Sequence, residues 1–321
     1  MAALYGLQPT ARTRRCLFCR GTGSYHRDKW SGQSTCPNCT GAGTVAIPEH
    51  YVAGFKAGTA LNRMSIDGFS DQKKYTTGLP EFDAKFNGFY AGEYALIAAR
   101  TNGGKTAFAE HLALNISLQH KVMLFALEDK QTTTEDHLLM KIFRWDEKHI
   151  EHMKKYDVEK LQGALQSLRK HDLVLDCMDI DRQHTLDEII EKVEIEDPAV
   201  VIIDHLRVLQ EFDSSPGERS DLAPGRVSRR LRSYASETNR TVIAFTQLRD
   251  PQNKSAKEKP PSINDIADSR RIAQTADSVV CLYMQGEFVS LRIEKNRHGQ
   301  SKVNADARWD GPTRSYLPAT E

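Results

Sequence analysis

At 321 residues, the chain has room for one large domain of about 200–250 residues and a small appendage. It contains no run of 18 apolar residues and opens on no apolar signal region, which excludes a helical membrane protein and predicts a soluble, cytoplasmic one. The net charge of +1 conceals an asymmetry: residues 1–42 carry six basic side chains and one acidic, a local +5, while the remainder carries −4. A basic arm of this kind suits a polyanionic partner or forms a solvated basic face on a small module.

The arm carries two cysteine pairs, Cys16-Leu17-Phe18-Cys19 and Cys36-Pro37-Asn38-Cys39, separated by sixteen residues. That spacing lets two knuckles close a tetrahedral four-thiolate Zn²⁺ site. Zinc suits the pairs better than a redox or iron–sulfur role, because they are duplicated, embedded in turn residues (Arg20-Gly21-Thr22-Gly23 and Thr40-Gly41-Ala42-Gly43) and carried by a segment too small to fold on a core alone. The repeated C-x-x-C-x-G-x-G form resembles the zinc repeats of DnaJ-type cochaperones. His26 is a competing ligand or a surface side chain. The other two cysteines, Cys177 and Cys281, lie in apolar runs and read as buried core thiols. We therefore expect a zinc-binding module over residues 1–45, a linker segment over 46–75 and a larger domain over 76–321. In the linker, Pro48 can start a helix, and Tyr51, Phe55, Leu61 and Met64 form an intermittent apolar stripe that docks on its own core or on a neighbouring subunit.

In the larger domain, strands are predicted at Tyr94–Ala98, Val122–Leu127, Ala199–Ile203, Thr241–Thr246, Ser278–Met284 and Phe288–Ile293, with helical segments between them. The alternation predicts an α/β fold with a parallel-rich central sheet flanked by helices. After the first strand comes Ala99-Arg100-Thr101-Asn102-Gly103-Gly104-Lys105-Thr106, followed by a helix whose Phe108, Leu112 and Ile116 recur on one face. This stretch reads as a phosphate-binding loop. Small residues let successive backbone N–H groups face a nucleotide's phosphates, Lys105 reaches the β- and γ-phosphates, and Thr106 offers a hydroxyl to Mg²⁺. Ala99 stands where G-x-x-x-x-G-K-[ST] opens with glycine, a change that adds little bulk.

Chemistry should collect at the ends of such strands. Val200 to Ile203 delivers Asp204, placed to hold the Mg²⁺ water shell beside Thr106 or to cap a following turn. Val122 to Leu127 delivers Glu128 and Asp129, competing candidates for polarising the water that attacks the γ-phosphate, or else a solvated strand end. Val242 to Thr246 delivers Gln247, whose amide can sense the γ-phosphate or serve only structure. Arg226, Arg229, Arg230 and Arg232 mark the helical segment Val227–Thr238 as a solvated or subunit-facing surface.

Together, Thr77-Gly78-Leu79-Pro80-Glu81-Phe82-Asp83, Gly92, the Ala-Arg form of the loop, Leu127-Glu128, Ile203-Asp204-His205-Leu206, Thr246-Gln247-Leu248 and Lys295-Asn296-Arg297-His298-Gly299 resemble, in order, the motifs of DnaB-like replicative helicases of bacteria and phages. The resemblance covers Thr76 to Trp309 and implies their C-terminal motor domain: a RecA-type fold, a ring that is usually hexameric, and 5′-to-3′ translocation on single-stranded DNA driven by ATP or another nucleoside triphosphate. It also implies that Lys295 and Arg297 act in trans on the next subunit's γ-phosphate. Ser269, Arg270 and Arg271, in a segment matching the central-channel loop, together with Arg249 and Lys254, are implied DNA contacts. Here the chain departs from the family pattern, with Ala267 where an Arg is usual, Asp268 in place of Glu and Arg270 in place of Gly. The linker matches in position the family's subunit-swapped helix. Primase, polymerase and a helicase loader are the implied partners, in the cytoplasm of a bacterial or phage-infected cell. The family's helical N-terminal domain and the primase domain of phage primase-helicases have no counterpart ahead of the motor, where the zinc module stands. Two other readings remain: a RadA-like recombination and branch-migration motor, which also joins a four-cysteine module to such a core and carries a Lys-Asn-Arg-x-Gly segment, and an ATP-dependent DNA-binding adaptor or loader.

Overall fold

The computed structural model describes residues 73–177, 184–209, 222–249, 260–266 and 270–319, together with the backbone of four short strands in the first 46 residues. The chain divides into two compact units, Met1–Asp71 and Gln72–Glu321. In the first, β1 (Thr13–Arg15) pairs antiparallel with β4 (Thr44–Ala46), and β2 (Ser24–His26) with β3 (Gln33–Thr35). The strands repeat with the cysteine pairs: β1 and β3 each end one residue before the first cysteine of a pair, and β2 and β4 each follow its glycines. Cys16, Cys19, Cys36 and Cys39 themselves, and linker residues 47–72, lie outside the described residues.

The second unit runs β5 (Lys74–Tyr75), α1 (Pro80–Phe86), β6 (Phe89–Tyr90), β7 (Tyr94–Ala99), α2 (Lys105–Ser117), β8 (Val122–Ala126), α3 (Gln131–Phe143), α4 (Glu147–Tyr156), α5 (Val158–Ser167) and β9 (Leu173–Cys177). It continues through α6 (Leu186–Glu196), β10 (Val200–Asp204), α7 (Leu222–Thr238), β11 (Thr241–Gln247), α8 (Arg270–Thr275), β12 (Ser278–Gln285), β13 (Phe288–Lys295), β14 (Val303–Asp310) and β15 (Ser315–Pro318). The main sheet has nine strands in the order β15-β14-β13-β12-β7-β11-β10-β8-β9. From β12 to β9 all neighbours are parallel, and β13 to β15 extend the sheet as an antiparallel meander.

Helices on both faces explain why the central strands are continuous apolar runs rather than alternating ones. Ala95, Ile97 and Ala99 of β7 pack with Phe82 and Phe86 of α1 and with Phe108, Leu112 and Ile116 of α2. Its other residues, Tyr94, Leu96 and Ala98, pack with Ile189 and Val193 of α6 and with Val227, Leu231 and Ala235 of α7. Helices α3 to α5 form an insertion with its own small core around Leu139, Met140, Ile150, Met153, Leu161 and Ala164. The Thr77–Asp83 motif is a helix start: Asp83 accepts from the Thr77 amide and hydroxyl, both at 2.9 Å, and from the Gly78 amide at 3.0 Å, while Pro80 opens α1. On α7, Arg226, Arg229 and Arg230 are exposed, as the sequence predicts, while Arg232 turns to Asp277.

Three strands of the main sheet escape the sequence patterns. Leu173–Cys177 is a half-buried edge strand, and β14 and β15 hold Ala, Asn, Asp and Pro where strands favour β-branched residues. In β14 the alternation is present, with Val303, Ala305, Ala307 and Trp309 packing on the core, but small side chains mask it. Cys281 is buried as expected. Cys177 corrects the expectation of a buried apolar thiol: at the end of an edge strand it is only partly covered, and its Sγ donates to Thr134 Oγ1 at 3.5 Å. Among the described residues no helix is long and apolar enough to cross a membrane.

Leu96 is fully buried in the middle of the sheet. Leu96→Ala should lower the unfolding free energy by about 2–5 kcal/mol in urea denaturation.

Candidate active site

Ala99 ends β7 in the core, and the chain then turns tightly, with the Gly103 amide donating to the Arg100 carbonyl at 2.9 Å. Two positions in this turn demand glycine. A Cβ on Gly103 would sit 2.8 Å from the Arg100 oxygen, and Gly104 has φ +80° with the Tyr316 hydroxyl against the space a Cβ would take. Helix α2 begins at Lys105, so its free amides and the positive end of its dipole face a cleft of about 410 Å³. Thr101, Asn102, Gly103, Gly104, Lys105 and Thr106 form its floor; Glu128, His205, Gln247, Met284, Trp309 and Arg314 line the rest. Ala99 and Arg100, predicted with the loop, are not among the lining residues. The first is the last core residue of its strand, and the second lays its guanidinium 5.9 Å from the centre of the Tyr283 ring.

Parallel neighbours bring the predicted strand-end residues to this cleft. Asp204, 2% exposed at the end of β10, shares a hydrogen bond with the Thr106 side chain, and its Oδ1 has no hydrogen-bond partner. Burial pushes its pKa up to about 7, against the pull of Thr106 and Lys105. An orphaned carboxylate oxygen beside a hydroxyl and a helix start fits a hydrated divalent cation next to a phosphate chain. Glu128 follows β8, with its side chain 52% exposed and one oxygen 3.5 Å from His205 Nδ1. Asp129, its competitor, does not line the cleft and groups instead with Glu110 and His137. Gln247, at the end of β11, donates from Nε2 to Thr101 Oγ1 at 2.7 Å. His205, Met284, Trp309, Arg314 and Tyr316 were not singled out from the sequence; only His205 lay within a recognised motif.

Lys295 and Arg297 sit at the opposite end of the sheet. Lys295 is level with Val279 of β12, which is level with Leu96 near the start of β7. At about 3.3 Å per residue, the three steps from Leu96 to Ala99 set Lys295 about 10 Å back from the start of the loop along the strands, and two strands to the side. Lys295 Nζ donates to the carbonyls of Gln274 and Ala276, and Arg297 pairs with the buried Asp277 at 2.9 Å. Of the implied DNA contacts, Arg249 is exposed just past β11 and Arg271 lies half-buried on α8. Lys254, Ser269 and the Arg270 side chain are outside the described residues.

The sequence model of the family described as DnaB-like helicase C terminal domain matches residues 75–315. The chain belongs to this family. Similar relatives include the replicative DNA helicase DnaC of Bacillus subtilis, 27% identical over 73% of this chain and 55% of that one. A probable plasmid replicative DNA helicase of Chlamydia trachomatis is 27% identical over 70% of this chain and 51% of that one. The chain thus spans about half the length of the relatives it matches. Among solved structures, one described as an ATPase domain superposes with a TM-score of 0.67 at 21% identity, covering 81% of this chain and 96% of that one. A DnaB-like replicative helicase, whose structure was described with its interactions with primase, gives 0.68 at 21% identity over 81% of this chain and 65% of that one. The α/β architecture is therefore that of the DnaB-like ATPase domain, and nucleoside triphosphate and Mg²⁺ are the ligands of the family's cleft.

Asp204 supplies a pH test. Its pKa is raised on folding, so the native state binds the extra proton and its burial costs stability as pH rises from about 4 to about 7. In protein free of nucleotide and Mg²⁺, the stability of Asp204→Asn relative to wild type should rise across that range, as read by thermal melting, while ATP hydrolysis is lost.

Proposed function

We propose that the chain is the motor of a ring-forming replicative DNA helicase, coupling ATP hydrolysis at subunit interfaces to 5′-to-3′ translocation on single-stranded DNA and duplex unwinding. One observation carries the reading: the loop, Asp204, Glu128 and Gln247 share one end of the sheet, while Lys295 and Arg297 stand at the other. A neighbour turned head to tail in a ring can bring the second set to the first. The family match and the fold neighbours support a helicase over the recombination motor and the adaptor.

In this reading the loop amides and Lys105 hold the β- and γ-phosphates, and Thr106 and Asp204 hold Mg²⁺ through its oxygen ligands. When bound there, Mg²⁺ would neutralise charge developing on the phosphates. Glu128 orients and deprotonates the attacking water, His205 stands beside it, and Gln247 follows the γ-phosphate from the strand end that also touches Thr101. From the next chain, Lys295 and Arg297 stabilise the transferring phosphoryl group; a guanidinium's rigid fork of donors suits that task. Ser269, Arg270, Arg271, Arg249 and Lys254 contact the DNA backbone. Cys16, Cys19, Cys36 and Cys39 bind Zn²⁺ in a module over 1–45 that engages DNA or a partner protein such as primase, polymerase or a loader. Residues 46–75 link it to the motor over 76–321, and six copies form the ring.

A forked duplex separates the readings. Unwinding that requires ATP and a 5′ single-stranded tail supports the helicase, whereas ATP-dependent DNA binding without strand separation contradicts it. Arg297→Ala should reduce ATP turnover by about 10³-fold with nucleotide binding retained. Metal analysis should find one zinc per chain, removable by a chelator without loss of basal ATP hydrolysis; protein purified without zinc would dismiss the module.

A further inference from the structure

The Gly104 carbonyl accepts two hydrogen bonds. The Phe108 amide donates one at 2.9 Å and closes the first turn of α2; the Tyr316 hydroxyl donates the other, also at 2.9 Å. Tyr316 belongs to the edge strand β15, 212 residues further along the chain, and reaches the loop because β15 packs against α2. Its ring is 3% exposed, with centroids 5.0 Å from Phe108, 5.2 Å from Trp309 and 5.7 Å from His111. Packed on three sides, the ring holds its hydroxyl in one place, and burial keeps the phenol protonated and able to donate.

A peptide unit is planar and trans, so its C=O and N–H point in opposite directions. Fixing the Gly104 carbonyl therefore also fixes the Lys105 amide, which faces away from the helix toward the cleft, where a helix start binds phosphate. Gly104 needs such restraint, since at φ +80° without a side chain it has wide conformational freedom. No side-chain cap substitutes for it at this helix start. We infer that Tyr316 is a positioning residue, through which the C-terminal strand locks the phosphate-binding amide of Lys105. Arg314 lines the cleft from the same segment, its carbonyl held by the Lys141 ammonium, so this strand forms one wall of the site. The inference rests on the cleft being the nucleoside triphosphate site.

The test uses the full chain and a fluorescent ATP analogue. Tyr316→Phe keeps the ring contacts and deletes one hydrogen bond, so the analogue's Kd and the KM for ATP should rise by about 3- to 10-fold, with kcat within about twofold. Tyr94→Phe is the control: its hydroxyl accepts from Ser228 at 3.0 Å, buried on the other face of the sheet. That variant should lose thermal stability with Kd unchanged. A Tyr316→Phe Kd equal to wild type overturns the positioning role while leaving the site intact. Wild type and Lys105→Ala binding the analogue equally would instead overturn the nucleotide site itself.

Discussion

The rest of the structure depends on the common direction of six parallel strands. Because β7, β8, β10 and β11 all run the same way, each delivers the residue after its last core position to one end of the sheet. The loop after Ala99, Glu128 after Leu127, Asp204 and Gln247 are therefore neighbours in space although about 150 residues of chain separate the first from the last. Reversal of direction has the opposite effect. β13 is antiparallel to β12, so its last residue, Lys295, and the Asn296 and Arg297 that follow it lie at the far end. One sheet thus carries two groups of polar and charged residues and keeps them apart.

Local energetics follow from that arrangement. Asp204 is carried into a nearly dry position by the strand that bears it, and Thr106 satisfies only part of its hydrogen-bonding capacity. The loop is likewise under-supported by its own residues. Two glycines give it the required backbone path at the cost of conformational freedom, and no side chain caps α2. The last two strands of the meander, β14 and β15, which contribute none of the residues first expected in the site, supply the missing restraint through Tyr316. At the other end, Asp277 accepts from Arg232 and Arg297 and also from the Tyr94 amide, so the outward-facing arginine is braced against the first residue of β7.

Much of the site was legible because it is built from local patterns. An apolar β-branched run ending in Asp204, and a Gly-Gly-Lys-Thr turn between a strand and a largely buried helix, have few alternative meanings. The competition between Glu128 and Asp129 was not legible, since adjacent residues leave a strand in different directions and only the packing of Asp129 toward Glu110 and His137 separates them. Nor was the wall formed by Trp309, Arg314 and Tyr316. Its strands hold Ala305, Asp306, Ala307 and Pro318, whose weak strand preference is overridden by pairing with β13 and with each other. Ala99 and Arg100 were included by motif length alone; the first faces the core and the second faces Tyr283. The proposed action of Arg297 on a neighbouring chain rests on the family resemblance alone, because nothing in a charged hairpin's spacing tells whether it serves its own chain or another.

The central claim is that each hydrolytic site is shared between two chains. Mixing Lys105→Ala with Arg297→Ala tests it most directly, since each variant alone should be inactive while the pair restores interfaces that join an intact loop to an intact arginine. At equal proportions about a quarter of the interfaces should be complete, and ATP hydrolysis should recover toward that fraction of wild type. A mixture no more active than either variant alone would contradict the account.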